Sequence, residues 1–260
     1  MKIAIVITGQ PRQLEQGAHW FKNYVFPKGC GLEVDYFCYF WDDGTSDLRS
    51  RIENTYNPVR YHVQEYEKNI NNFISHVQAR NSELNDWKHV PEKFRNLHLF
   101  DVDKNHISNY SKNIWGQFFC SYKANKMLGS LDNYDIVIRT RSDVAFNNMD
   151  IAHWRSAFSN IYRNPIFDDK MFVPWLYIER GIPLFSDFAF ISKPKVWHQF
   201  NSNLEEACFA IATDHKQLWY ELEVSEFKHH PHWIWNKMAM HSRTNMLSFS
   251  VTWPMPFDCK

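Results

Sequence analysis

Apolar and polar positions separate sharply from the first residues. Ile3-Ala4-Ile5-Val6-Ile7 is an unbroken apolar run, and Thr8-Gly9-Gln10-Pro11-Arg12 ends it. A run with no polar face predicts a strand buried on both sides, as in a parallel sheet. Gln13 to Tyr24 follows with a helix-like pattern. Val34 to Trp41 repeats the strand signal, stopped by Asp42-Asp43-Gly44-Thr45. Asn57-Pro58 resets the chain, and Val59 to Val63 reads as a third short strand.

The period then changes from two to about four. Tyr66, Ile70, Phe73, Ile74 and Val77 form one face of an amphipathic helix, whereas Ser82 to Tyr110 is polar around Pro91 and predicts an irregular excursion. Ile114, Phe118, Ser121, Ala124, Leu128 and Leu131 recur at three or four residues, with Trp115, Phe119 and Tyr122 widening the stripe. That spacing predicts a long buried helix. It feeds Tyr134-Asp135-Ile136-Val137-Ile138, a buried strand that turns abruptly charged at Arg139-Thr140-Arg141-Ser142-Asp143.

Further on, the pattern predicts a short helix over Asp150 to Ile161 and an edge strand over Met171 to Trp175, where Pro174 is tolerated. It predicts another strand over Leu184 to Ser192, then helices from Lys193 toward Leu204 and from Asp214 to Val224. Strands alternating with helices give a single α/β domain of 260 residues, Rossmann-like, with a mostly parallel central sheet flanked by helices. Right-handed crossovers then bring Thr8 to Arg12 and Arg139 to Asp143 to the same carboxyl edge, where open α/β sheets bind ligands.

Composition narrows the classes. Lys plus Arg and Asp plus Glu are 29 each, so no basic excess points to a nucleic-acid partner. No apolar run approaches the roughly 20 residues of a membrane span, and Met1-Lys2 with five apolar residues is short for a secretory signal, so a cytoplasmic protein is expected. Cys30, Cys38, Cys120, Cys208 and Cys259 lack Cys-x-x-Cys spacing and read as reduced thiols. Aromatic residues reach 17%, enough for rings that stack on a sugar or a base as well as for the core.

Several positions bear chemistry. Gly9 permits close backbone approach and Arg12 offers a guanidinium, although Gly-x-Gly-x-x-Gly and Gly-Lys-Ser/Thr phosphate motifs are both missing. Asp143 either caps the next turn, pairs with Arg139 or Arg141, or meets a ligand. Asp42 and Asp43 suit capping better than a metal. Asp187 stands among Phe185, Phe188 and Phe190, where a carboxylate needs a partner such as Arg180, a turn, or a function. His229, His230, His232 and His241 lack a carboxylate partner at fixed spacing, and His229 and His232 share a helical face.

The segment Tyr134 to Asp143 resembles the metal-site strand of GT-A-type glycosyltransferases, in particular bacterial and viral sugar transferases with Arg-x-Arg-x-Asp in place of Asp-x-Asp. Ile3 to Arg12, Val34 to Trp41 and Ser186 to Phe190 extend the resemblance in the same order. It implies transfer of a sugar from a nucleotide-diphosphate donor to a glycan or other small acceptor. The donor side would be about residues 1–147 and the acceptor side about 148–260. Thr8, Gly9, Gln10, Arg12, Arg139, Arg141 and Asp143 would bind the donor, Asp143 would hold Mn²⁺ or Mg²⁺, and Asp187 would be the catalytic base of an inverting enzyme. The alternative is a non-catalytic nucleotide- or carbohydrate-binding module on the same fold. A nucleotidyltransferase is disfavoured because no glycine-rich signature follows the first strand.

Overall fold

The structure is a computed structural model that describes residues 1–27, 29–72, 109–143, 156, 158–174, 176–179, 182–185, 189–202, 239 and 242–248. In chain order the strands are β1 (Lys2–Gly9), β2 (Glu33–Trp41), β3 (Arg60–Gln64), β4 (Ile136–Thr140), β5 (Lys170–Val173), β6 (Leu176–Glu179), β7 (Ile182–Phe185), β8 (Ala189–Ser192) and β9 (Asn245–Ser248). The principal helices are α1 (Leu14–Trp20), which runs on as a π-turn through Val25, α2 (Leu48–Tyr56), α3 (Asn109–Leu128) and α4 (Pro194–Ser202).

A seven-stranded sheet of order β3-β2-β1-β4-β8-β5-β9 forms the centre. The first four of these are mutually parallel, β8 runs antiparallel to both β4 and β5, and β9 is parallel to β5. The sheet is thus parallel on its β3-to-β4 side, as the apolar runs predict. The two-stranded β6–β7 ribbon stands apart from it.

Because Ile3 to Ile7 of β1 is apolar at every position, the strand feeds two cores. Ala4 and Val6 join Phe37, Tyr39, Trp41, Phe118, Ala124 and Trp197 on the face covered by α3 and α4. Ile3, Ile5 and Ile7 join Leu14, Phe21, Ile52, Tyr56 and Phe158 on the face covered by α1 and α2. Phe118, Ser121, Ala124 and Leu128 are all buried, which confirms the stripe read from α3. Residues 66–72 are helical with Ile70 fully buried. Pro194 occupies the first position of α4, where its missing N–H costs nothing.

Three expectations are corrected. Met171 to Trp175 is not an edge strand: β5 lies between β8 and β9, and Pro174 falls one residue past its end, so no ladder donor is lost. Leu184 to Ser192 is two strands, because Leu184 and Phe185 belong to the β6–β7 ribbon while Ala189 to Ser192 enters the central sheet. The excursion ends earlier than Tyr110, since α3 already begins at Asn109. The Asp150 to Ile161 helix is seen at 158–163, with 150–155 outside the described residues, as are 73–108 and 214–224.

One close contact joins α1 to the turn after β4. A Cβ built on Gly17 would lie 1.9 Å from the backbone oxygen of Ser142, so α1 touches the turn after β4 through bare backbone. Gly17→Ala must push α1 away from that turn. The expected cost is about 3 kcal/mol, the upper end of overpacking effects, measured as a lower urea midpoint at an unchanged slope.

Candidate functional site

The parallel register dictates which loops face each other. Ile7 pairs with Thr140, so Thr8 to Arg12 and Arg141 to Asp143 leave adjacent strands at the same edge. The chain turns tightly there. Gly9 has φ of +113°, and the Arg12 amide donates to the Gln10 carbonyl at 2.8 Å. Only glycine adopts the Gly9 conformation without strain. Ser142, fully buried, joins the two loops, its hydroxyl lying 2.8 Å from the Arg12 carbonyl and 3.2 Å from that of Gln10.

Between the loops lies a cleft of about 170 Å³ lined by Thr8, Gly9, Gln10, Arg12, Trp41, Tyr66, Gln117, Arg139, Arg141 and Asp143. All seven residues expected at the donor site meet in it. Arg139 forms its floor: it is fully buried, its Nε donates to Thr8 Oγ1 at 3.0 Å, and its guanidinium lies 5.6 Å from the Phe190 ring centre. Phe190 is its cross-strand partner on β8. Beneath the loop, burial pushes the Cys120 thiol well above its ordinary range. Gln10 and Arg12 are exposed at the cleft's rim.

Arg141 and Asp143 form a fork. Nε lies 2.8 Å from Oδ1 and Nη2 lies 2.5 Å from Oδ2, a bidentate pair that occupies both carboxylate oxygens. This realises the pairing alternative left open by the sequence. Asp143 is the only carboxylate lining the cleft among the described residues, and no three histidine, cysteine or carboxylate side chains gather among them in an arrangement that could hold a metal ion. The described residues alone therefore form no all-protein Mn²⁺ or Mg²⁺ cage.

Asp42 and Asp43 line a neighbouring depression with Pro11, Trp41 and Tyr66. Their carboxylates fold back onto their own turn, taking the Gly44 amide at 2.9 Å and the Thr45 amide at 2.9 Å. They close the turn before α2 rather than cap that helix, whose N-cap position is Asp47. Asp187 lies outside the described residues, as do His229, His230, His232 and His241.

The sequence reading missed one wall of the cleft. Trp41 at the end of β2 stacks on Phe119 at 5.3 Å and meets Tyr66 edge-on at 4.9 Å. Gly116 makes room for both, since a Cβ there would approach Tyr66 to 3.2 Å and the Trp41 indole nitrogen to 3.4 Å. Burial pushes the Tyr66 phenol up to about 12, so it stays a neutral hydroxyl. Gln117 Oε1 is buried with no hydrogen-bond partner among the described residues. A signal was available: Gln117 stands one turn before Ser121 on the buried stripe of α3, where a polar residue is out of place.

No family model matches the chain, and no curated protein matches it in sequence. Among solved structures it is similar to the apo form of mouse xyloside xylosyltransferase 1, at 9% identity and a TM-score of 0.47, covering 95% of this chain and 85% of that one. It is similar also to a nucleotide-diphospho-sugar transferase from Desulfovibrio desulfuricans G20 described as putative, at 9% identity and a TM-score of 0.37, covering 95% and 78%. A third is the galactosyltransferase LgtC in complex with donor and acceptor sugar analogs, at 10% identity and a TM-score of 0.43, covering 95% and 73%. At these scores the likenesses carry no argument about activity.

The orphan acceptor makes an unusual prediction. Gln117→Met removes a buried amide oxygen that has no partner among the described residues, so the protein should hold its stability or gain about 1 kcal/mol in chemical denaturation. A loss of more than that would mean the amide is satisfied internally. Ser142→Ala should do the opposite, costing about 1 to 3 kcal/mol as two loop carbonyls lose their shared donor.

Proposed function

We propose that the chain is a glycosyltransferase that moves a sugar from a nucleotide-diphosphate donor to a glycan or other hydroxyl-bearing acceptor. The observation that carries this reading is the convergence, from two adjacent parallel strands, of Arg12, Arg139 and Arg141 on one cleft walled by Trp41 and Tyr66. Guanidiniums match phosphate oxygens in geometry and charge. Aromatic walls suit a base or a sugar ring. The resemblance of Tyr134 to Asp143 to the GT-A-type strand supports the same reading.

In this mechanism the diphosphate becomes more negative as the glycosidic bond breaks. Arg12 and Arg141 hold it by charge-assisted hydrogen bonds, and the buried Arg139 adds a fixed positive field from the floor. Thr8 keeps that guanidinium oriented at 3.0 Å. Gly9 and Gln10 supply backbone and amide contacts at the rim. Asp187 is proposed as the base that takes the acceptor's proton in an inverting reaction. Its support is positional: Ala189, two residues on, pairs with Thr140 beside Arg141.

The test is incubation with a panel of nucleotide sugars and detection of released nucleoside diphosphate. Release identifies the transferase, and binding without release identifies a non-catalytic module. Arg12→Ala should weaken nucleoside diphosphate binding by about 1.5 to 3 kcal/mol in calorimetry while leaving the melting temperature unchanged, because the side chain is exposed. Asp187→Asn should slow transfer by roughly 10²- to 10⁴-fold at the same donor affinity. If it melts early instead, Asp187 is structural.

A further inference from the structure

We infer that Asp143 is the positioning partner of Arg141 and not a cation ligand, so that the cleft takes its diphosphate without a divalent cation. This rests on the nucleotide-diphosphate reading of the same site.

Two observations carry it. First, both oxygens of Asp143 are already engaged, at 2.8 and 2.5 Å, by one guanidinium. The side chain of Asp143 is 3% exposed and that of Arg141 is 19% exposed, so the carboxylate faces inward and the guanidinium is the member that meets the cleft. A cation would have to displace a bidentate charge-assisted pair from a buried place, where such pairs are strongest. Second, three guanidiniums stand against one carboxylate among the described residues of the cleft. Guanidiniums lining a cleft suit an anion's oxygens.

The fork also fixes the plane of Arg141. With Nε and Nη2 anchored on Asp143, the guanidinium cannot swing with its side chain, and its ordering entropy is spent before the ligand arrives. Ser142 supports the same geometry from below, since it holds the turn against the Arg12 and Gln10 carbonyls. Asp143 thus acts on the ligand through Arg141.

The experiment is a calorimetric titration of the whole chain with UDP, GDP, CDP and ADP, once in EDTA and once with excess Mn²⁺. The expected result is that the nucleotide that binds does so in both buffers, with affinities within about 3-fold. Binding only with Mn²⁺ overturns the inference and leaves the nucleotide reading standing. Binding of none in either buffer overturns both. The route through Arg141 is tested by a double-mutant cycle in EDTA. Asp143→Asn should weaken binding by about 10-fold and Arg141→Ala by more, while the double variant should lose no more than Arg141→Ala alone. Additive losses would show that Asp143 reaches the ligand by another route. Asp143→Glu, which keeps the charge, should recover part of the affinity. Should the Asp143 variants fail to fold, the comparison of the two buffers on the wild-type chain decides the question.

Discussion

Everything at the sheet's carboxyl edge depends on one hydroxyl. Ser142 bonds to two carbonyls of the loop after β1 while its own backbone oxygen rests against Gly17 of α1. Two loops from different strands are thereby tied to each other. Strand pairing alone brings Thr8 and Arg141 near each other; it does not fix the loops beyond the last ladder bond. The hydroxyl and the bare glycine do that, one by attraction and the other by permitting contact. If the cleft holds an anion between Arg12 and Arg141, as proposed, that link matters, because guanidiniums on independent loops would repel each other apart.

The electrostatic design follows from burial. Arg139 sits on the central strand with no exposure, an expensive position for a cation. Its hydrogen bond to Thr8 and its stacking over Phe190 offset part of that cost. What is gained is a positive charge that solvent cannot screen, directly beneath the pocket. Arg141 and Arg12, progressively more exposed, extend the same charge outward. Trp41 and Tyr66 give the cleft one aromatic wall beside its cationic groups, the arrangement expected for a ligand with a charged middle and a flat end.

The parts of this that the sequence made legible share a physical basis. An apolar run without alternation has to be buried on both faces, so β1 and the strand half of Tyr134 to Asp143 were readable, and the crossover rule then placed their loops together. Expectations failed where the outcome depends on which strands pair. Nothing local in Met171 to Trp175 reveals that β8 and β9 will flank it, and Pro174 argued for an edge. Leu184 to Ser192 looks continuous because its apolar residues span both of the strands it contributes to. Asp143 illustrates an intermediate case: the pairing with Arg141 was among the open readings, and only coordinates choose between a fork, a cap and a ligand. Ser142 carries no signature at all, since a serine in a charged turn is unremarkable until its neighbours are known.

Cys120 adds a property of a different kind. Its thiol is fully buried under the Gly9 loop and held protonated by that burial, whereas Cys30 is exposed. Thiol reagents act on the thiolate, so Cys120 is silent toward them for as long as α3 stays packed against β1. Among the described cysteines the protein therefore carries one exposed thiol, Cys30, and two buried ones, Cys38 in β2 and Cys120 beneath the Gly9 loop. The rate at which Cys120 itself becomes labelled, read apart from Cys38, reports how often this wall of the molecule opens, with no probe having to be introduced.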